Sequence, residues 1–232
     1  NVAVGFNALN KNTTASGNVA VGREAGMANT TGCGIVAVGT GAGMTNTTAN
    51  NVTAIGYVAL KDNTGADNTS VGAYALTDNI GGTKNTAVGA CALFTNTTGF
   101  RNTAVGQWAL RSNSTGDKNT ASGNYALRSS TTGDKNTASG HAALGVNTSG
   151  YSNTASGDYA LALNTSGIYN TAVGWQAGDG NQAGHCNIFI GVNADTSCSA
   201  HANQIIIGYG AAGAGTNKTV IGNAATTNTY IC

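Results

Sequence analysis

Glycines at 5, 22, 39, 56, 72, 89, 106, 123, 140, 157, 174, 191, 208 and 222 keep an interval of 17 residues, which shortens to 16 before Gly72 and to 14 before Gly222. No other feature of the chain limits its fold as strongly. Seventeen residues are too few for a pair of helices and too regular for a sandwich. They suit one coil of a solenoid, stacked on its neighbours through parallel β bonds. At ~4.8 Å per coil, fourteen coils would extend roughly 65 Å.

The residues around each glycine repeat with it, as in Asn102-Thr103-Ala104-Val105-Gly106. The third residue after the glycine is Ala in every copy, from Ala8 to Ala225, so that position has no room for a γ-carbon. Leu usually follows, as at Leu93, Leu110 and Leu127, and then a turn-forming run such as Asn96-Thr97-Thr98-Gly99. The residues before the glycine read as a short strand, with β-branched residues on one face and Ala on the other. Neither face is polar throughout, so the strand is expected to be buried on both sides. The Thr column (Thr69, Thr86, Thr103, Thr120, Thr137, Thr154, Thr171) and the serines Ser122, Ser139 and Ser156 are then expected to face inward. Asn recurs four residues before most of the glycines (Asn85, Asn102, Asn119, Asn136), where stacked amides can hydrogen-bond from coil to coil.

Composition removes several alternatives. Glycine is abundant, at 35 residues, but proline is absent, which excludes collagen. With 41% hydrophobic and only 8% charged residues, the chain lacks the profile of a disordered segment. A formal net charge of +1 gives no electrostatic reason to expect nucleic acid or an anionic membrane. No apolar run approaches the ~20 residues of a membrane-spanning helix. The chain begins at Asn1, inside a repeat and without Met, and is read as a piece of a longer protein.

Each coil offers few inward apolar groups, mostly Ala and Val, against the entropy of ordering seventeen residues. Association with further copies is the expected source of additional burial, with the small, flat Ala face as the expected contact. Residues 1–186 form a regular array. From 187 to 232 the motif changes: Phe189 and Ile206 replace the strand Ala, and the last interval shortens. This segment is expected to be a junction to a different C-terminal domain, with altered coil shape.

Chemistry-bearing residues are sparse. Gly208-Tyr209-Gly210-Ala211-Ala212-Gly213 matches a dinucleotide fingerprint in letters, but a turn-like run follows where a helix would be needed, and Gly208 and Ala211 belong to the repeat. The three His and nine acidic residues form no catalytic set, so no enzyme activity and no cofactor is expected. His185, Cys186, Cys198 and His201 lie within one repeat length and are of metal-ligand types, while Cys186 and Cys198 alone would suit a disulfide. A weak metal site, a disulfide and free thiols all remain open there. Tyr74, Trp108, Tyr125 and Tyr159 stand two residues after their glycines, in a column that also accepts small and polar residues. Such rings can stack on sugars at an exposed surface or shield an edge between subunits.

The Asn-Thr-Ala-Val-Gly and Asn-Val-Ala-Val-Gly motifs resemble the short repeats in the head domains of trimeric autotransporter adhesins, although the period here is longer. Residues 102–110 followed by turns of the Asn-Thr-Thr-Gly type also resemble the shafts of phage and giant-virus tail fibres, and the segment from Gln204 to Gly222 resembles the end of such an array. The resemblance covers nearly the whole chain. It implies an all-β fold of the left-handed parallel β-roll type, assembled as a homotrimer with its chains intertwined or side by side. It also implies an extracellular place, on a virion fibre or a cell surface. The expected function is a fibre shaft that serves host attachment, with a cell-surface glycan or protein receptor as a possible partner. The alternative is an adhesin head that binds a host surface or matrix. A third expectation, ice binding, is set aside here because the Thr column is read as inward.

Overall fold

The computed structural model describes residues 1–225. Each repeat contributes one three-residue strand immediately before its glycine. These are β1 (Val2–Val4), β2 (Val19–Val21), β3 (Val36–Val38), β4 (Thr53–Ile55), β5 (Thr69–Val71), β6 (Thr86–Val88) and β7 (Thr103–Val105). They continue as β8 (Thr120–Ser122), β9 (Thr137–Ser139), β10 (Thr154–Ser156), β11 (Thr171–Val173), β12 (Ile188–Ile190), β13 (Ile205–Ile207) and β14 (Thr219–Ile221). The chain divides into two compact units: Asn1–Asn119, with β1 to β7, and a second from Thr120 onward, with β8 to β14. The motif change at Asn187 therefore lies inside the second unit.

Within each unit the strands pair in parallel and in sequence order, with equivalent residues opposite one another. Ala87 faces Ala104 in the first unit, and Ala138 faces Ala155 in the second. No helix occurs among the described residues. The fold is an all-β parallel β-solenoid, as the seventeen-residue period requires.

The interior is built from three residues of each coil. In β7's coil these are Ala104 in the strand, Ala109 after the glycine and Leu110 beside it, all fully buried. Adjacent residues of a regular strand point to opposite sides, so Ala109 and Leu110 can both face inward only if the backbone reverses between them. It does so through the left-handed region, with φ 61° at Trp108 and 50° at Leu110. A third left-handed residue, Lys118 at φ 57°, leads into the next strand. Non-glycine residues there cost roughly 1–2 kcal/mol each, and the buried Leu and Ala offset that cost.

The repeat glycine answers a different constraint. Gly89 has φ 132°, and a Cβ on it would stand 2.5 Å from the Gly106 carbonyl oxygen of the next coil. The column cannot carry side chains at this stacking distance.

Two expectations fail, for one reason. The strands are not buried on both faces: Val88, Val105 and Val173 are exposed while the Ala between the β-branched positions is fully enclosed. A single coil has only one interior. The strand's Ala side closes it, and its β-branched side faces away. The Thr column and Ser122, Ser139 and Ser156 therefore face outward, not inward. The Ala face, expected as a contact between chains, belongs to each coil's own core.

Buried amides form the rest of the interior. In the column four residues before the glycine, the Asn102 backbone N–H donates to Asn85 Oδ1 at 2.9 Å, and Asn102 Nδ2 donates to the Gly116 carbonyl at 2.7 Å. The second unit repeats this at Asn153 and Asn170. This is the coil-to-coil amide stacking the sequence suggests. A second column, unexpected, runs through the apparent turn residues. Asn96 Nδ2 donates to Asn79 Oδ1 at 2.8 Å, Asn113 Nδ2 donates to Asn96 Oδ1 at 2.8 Å, and all three are fully buried. Each glycine carbonyl at the end of that run accepts from both columns: Gly99 takes Asn85 and Asn96. Buried amides are tolerated because nearly every polar atom finds a partner.

Departures from the repeat are absorbed locally. The missing residue before Gly72 falls in the corner after Asn63, which stays buried and still donates to Asn46 Oδ1 and the Gly65 carbonyl. Phe189 fits where Ala is usual because Gly178 replaces the usual Leu one coil earlier. A Cβ on Gly178 would lie 2.5 Å from the Phe189 ring. Volume is exchanged between coils, as close packing demands. β12, β13 and β14 keep their parallel register through the last, shorter interval.

Candidate functional site

The outward strand face is the most extended feature of each unit. In the first it presents Val19, Val36, Thr53, Thr69, Thr86 and Thr103 in one rank, and Val21, Val38, Ile55, Val71, Val88 and Val105 in the other. In the second, Thr and Ser fill both ranks over β8 to β10, and Val and Ile return from β11 onward. No charged residue interrupts either rank. In-register pairing holds each rank in line, one residue per coil.

The aromatic residues stand on a different side of the coil, at the left-handed corner. Tyr74 packs edge-on against Tyr57 with ring centroids 5.3 Å apart, and lies 6.5 Å from Phe94. Burial, with Tyr57 adding to it, raises the Tyr74 phenol above its ordinary value. Arg111 lies over both Phe94 and Trp108, at 5.7 and 5.4 Å. In the second unit Tyr125 and Tyr159 flank His141, at centroid distances of 5.9 and 5.0 Å, both edge-to-face. Arg128 sits 5.6 Å from the Tyr125 ring centroid. The four aromatic residues singled out in the sequence thus fall into separate clusters. Arg128 and His141, which the sequence reading passed over, belong to the second.

These side chains border a groove of about 470 Å³. Tyr125, Arg128, His141, Ala142, Gly145, Val146, Tyr159, Ala162 and Leu163 line it, all in the second unit. The signal for it was present in the sequence. Gly140's coil carries Ala142 and Gly145 where the coil before it carries Tyr125 and Arg128.

His185, Cys186, Cys198 and His201 are not assembled into a centre. No group of three or more His, Cys, Asp or Glu among the described residues is placed to hold a metal ion. His185 Nδ1 accepts the Ile168 N–H at 3.2 Å, while His201 Nδ1 lies 3.5 Å from Ser197 Oγ. Cys186 and Cys198 are separate, exposed thiols. They occupy different corners of the coil: Cys186 the left-handed residue before a strand, Cys198 the position that holds buried Asn elsewhere.

One carboxyl group is perturbed. Asp195 takes a position usually held by buried Leu, and that burial pushes its carboxyl up to about 6. The N–H groups of Thr196 and Gly180, at 2.7 and 3.1 Å, oppose the shift, whereas Asp179 reinforces it. The dinucleotide-like run from Gly208 leads through a turn into β14, with no helix to face a phosphate.

Comparison with known proteins finds no family whose profile matches the chain, and no characterised protein matches it.

Proposed function

We propose that this chain is a structural fibre segment that self-associates, as a homotrimer, through its outward strand face. The observation that supports this is the uncharged double rank that each unit leaves open to solvent, β-branched throughout the first unit and interrupted in the second by Ser122, Ser139 and Ser156. Val105 and Val173 are each 42% exposed and Ile190 40%. Ranks of Val and Ile on a flat, in-register surface gain by being covered, at roughly 25 cal/mol per Å² of apolar area. Further copies of the same chain carry the same ranks at the same spacing, which allows rank-to-rank packing. The resemblance to tail-fibre shafts and adhesin heads favours three copies, an extracellular setting and a place in host attachment.

The test is a chain with Val88→Glu and Val105→Glu. It should keep its β-sheet circular dichroism and lose assembly, because charges at a covered apolar face are strongly disfavoured. Assembly indistinguishable from the unaltered chain would overturn the reading.

A second reading gains support from the same surface. Ice binding was set aside on the ground that the Thr column faces inward, and the column faces outward. A regular Thr rank beside a Val or Ser rank could order water at a coil-to-coil spacing of ~4.8 Å. The readings exclude each other on this face, since a covered rank cannot meet ice. Suppression of ice recrystallisation by the unassembled chain would favour the second.

A further inference from the structure

The geometry points to a saccharide-binding groove on the second unit, built by Tyr125, Arg128, His141 and Tyr159 and fitted to a carboxylated sugar. It does not rest on the assembly reading, because no outward strand residue lines it.

The groove arises at one coil that carries small residues at two variable positions, Ala142 and Gly145, where the preceding coil carries Tyr125 and Arg128. The backbone is equivalent at Tyr125, Ala142 and Tyr159, with φ 60°, 52° and 56°, so the three side chains leave the coil in the same way. Stacking bonds join these coils: Ala142 N–H donates to the Asn124 carbonyl and Tyr159 N–H to the His141 carbonyl, both at 2.9 Å. The Ala142 methyl thus stands in the column between two tyrosines, two coil spacings or ~9.6 Å apart, and the His141 imidazole packs edge-on to both of their rings. Three residues further on, Gly145 leaves a second gap between Arg128 and Ala162. Ala142 and Gly145 both line the groove. Val146 and Leu163, 37% and 47% exposed, form an apolar rim.

The lining chemistry selects the ligand. Aromatic rings with one apolar and one polar side suit the mixed surface of a pyranose, whose C–H groups pack on rings while its hydroxyls reach phenol and imidazole. The volume matches a small-ligand cleft. An extended peptide would need free backbone donors and acceptors at the edge, and here the coil's own N–H groups are spent on stacking. Arg128 is the only permanently charged lining group, and its planar guanidinium pairs with a carboxylate in two parallel hydrogen bonds. The neighbouring Asp158 carboxylate accepts the His141 backbone N–H at 3.0 Å.

Binding of a galacturonic-acid trisaccharide to the full chain, measured by calorimetry beside the matching neutral galactose trisaccharide, tests the proposal. The acidic sugar should bind, and the neutral one at least tenfold more weakly. Ala142→Tyr, which restores the residue of the flanking coils and so preserves the fold, should abolish binding. Arg128→Gln should weaken the acidic sugar tenfold or more and leave the neutral one unchanged. No binding at millimolar concentration, equal binding of both sugars, or binding that survives Ala142→Tyr would each overturn it.

Discussion

Lys118, Lys135 and Ser152 adopt the same left-handed backbone, φ 55–57°, that Gly17 and Gly34 hold at φ 70° in earlier coils. Glycine is thus already used at this position. Lys135 is exposed, so Lys135→Gly removes a strained Cβ without opening the core. The relief of roughly 1–2 kcal/mol outweighs the greater freedom glycine gives the unfolded chain. We expect a net gain of about 0.5–1 kcal/mol in chemical denaturation; a loss would mean that the left-handed corners are unstrained. Asp195 gives a pH dependence whose sign follows from its raised value. The folded state holds the proton more tightly than the unfolded chain, so the contribution is complete below about pH 4 and is lost as pH rises through about 6. The melting temperature should fall across that window, and Asp195→Asn should flatten the fall. An unchanged profile in that variant would assign the dependence elsewhere. Strain of this kind is invisible in a sequence, since nothing in the letters of Trp108 or Leu110 marks a left-handed residue.

The two asparagine columns are the elements that tie coil to coil. The column before the strands was legible because its Asn recurs in fixed register beside a glycine. The other was not, because Asn-Thr-Thr-Gly reads equally as an exposed turn, and only the structure shows its Asn fully buried. Thr30, Thr97 and Thr165 in that run donate their hydroxyls to a carbonyl of the following coil, at 2.8–3.1 Å. The second column has a defect. Ser130 stands where neighbouring coils carry Asn, and its buried Oγ has no partner. Ser130→Asn would offer an Oδ1 to Asn147 Nδ2, which now donates to the Gly150 carbonyl. Satisfying buried polar groups is worth about 1–3 kcal/mol, so this substitution should stabilise the chain. Destabilisation would show that the amide columns do not supply the stacking energy assigned to them. The groove at Ala142 was equally readable as two small residues in one coil. It is missed when aromatic residues are tracked one by one instead of against the gaps between them.

At the scale of the whole molecule, the fold follows from the glycine period. Whether its outward face is covered does not. Alternation sorted Ala from Val, Thr and Ile correctly, yet a β-branched rank reads the same whether its neighbour is the chain's own core or another copy. The structure puts the Ala rank inside, which leaves the other rank exposed. The C-terminal coils follow the same logic: Phe189 changes the core through Gly178, while Ile188 and Ile190 keep the outward ranks apolar. The central claim is that this face is covered by further copies, and the most direct measurement is the mass of the chain in solution by sedimentation equilibrium. The account predicts three times the 22.9 kDa of one chain, independent of concentration over the micromolar range. A single-chain mass, with the β-sheet signal intact, would contradict it.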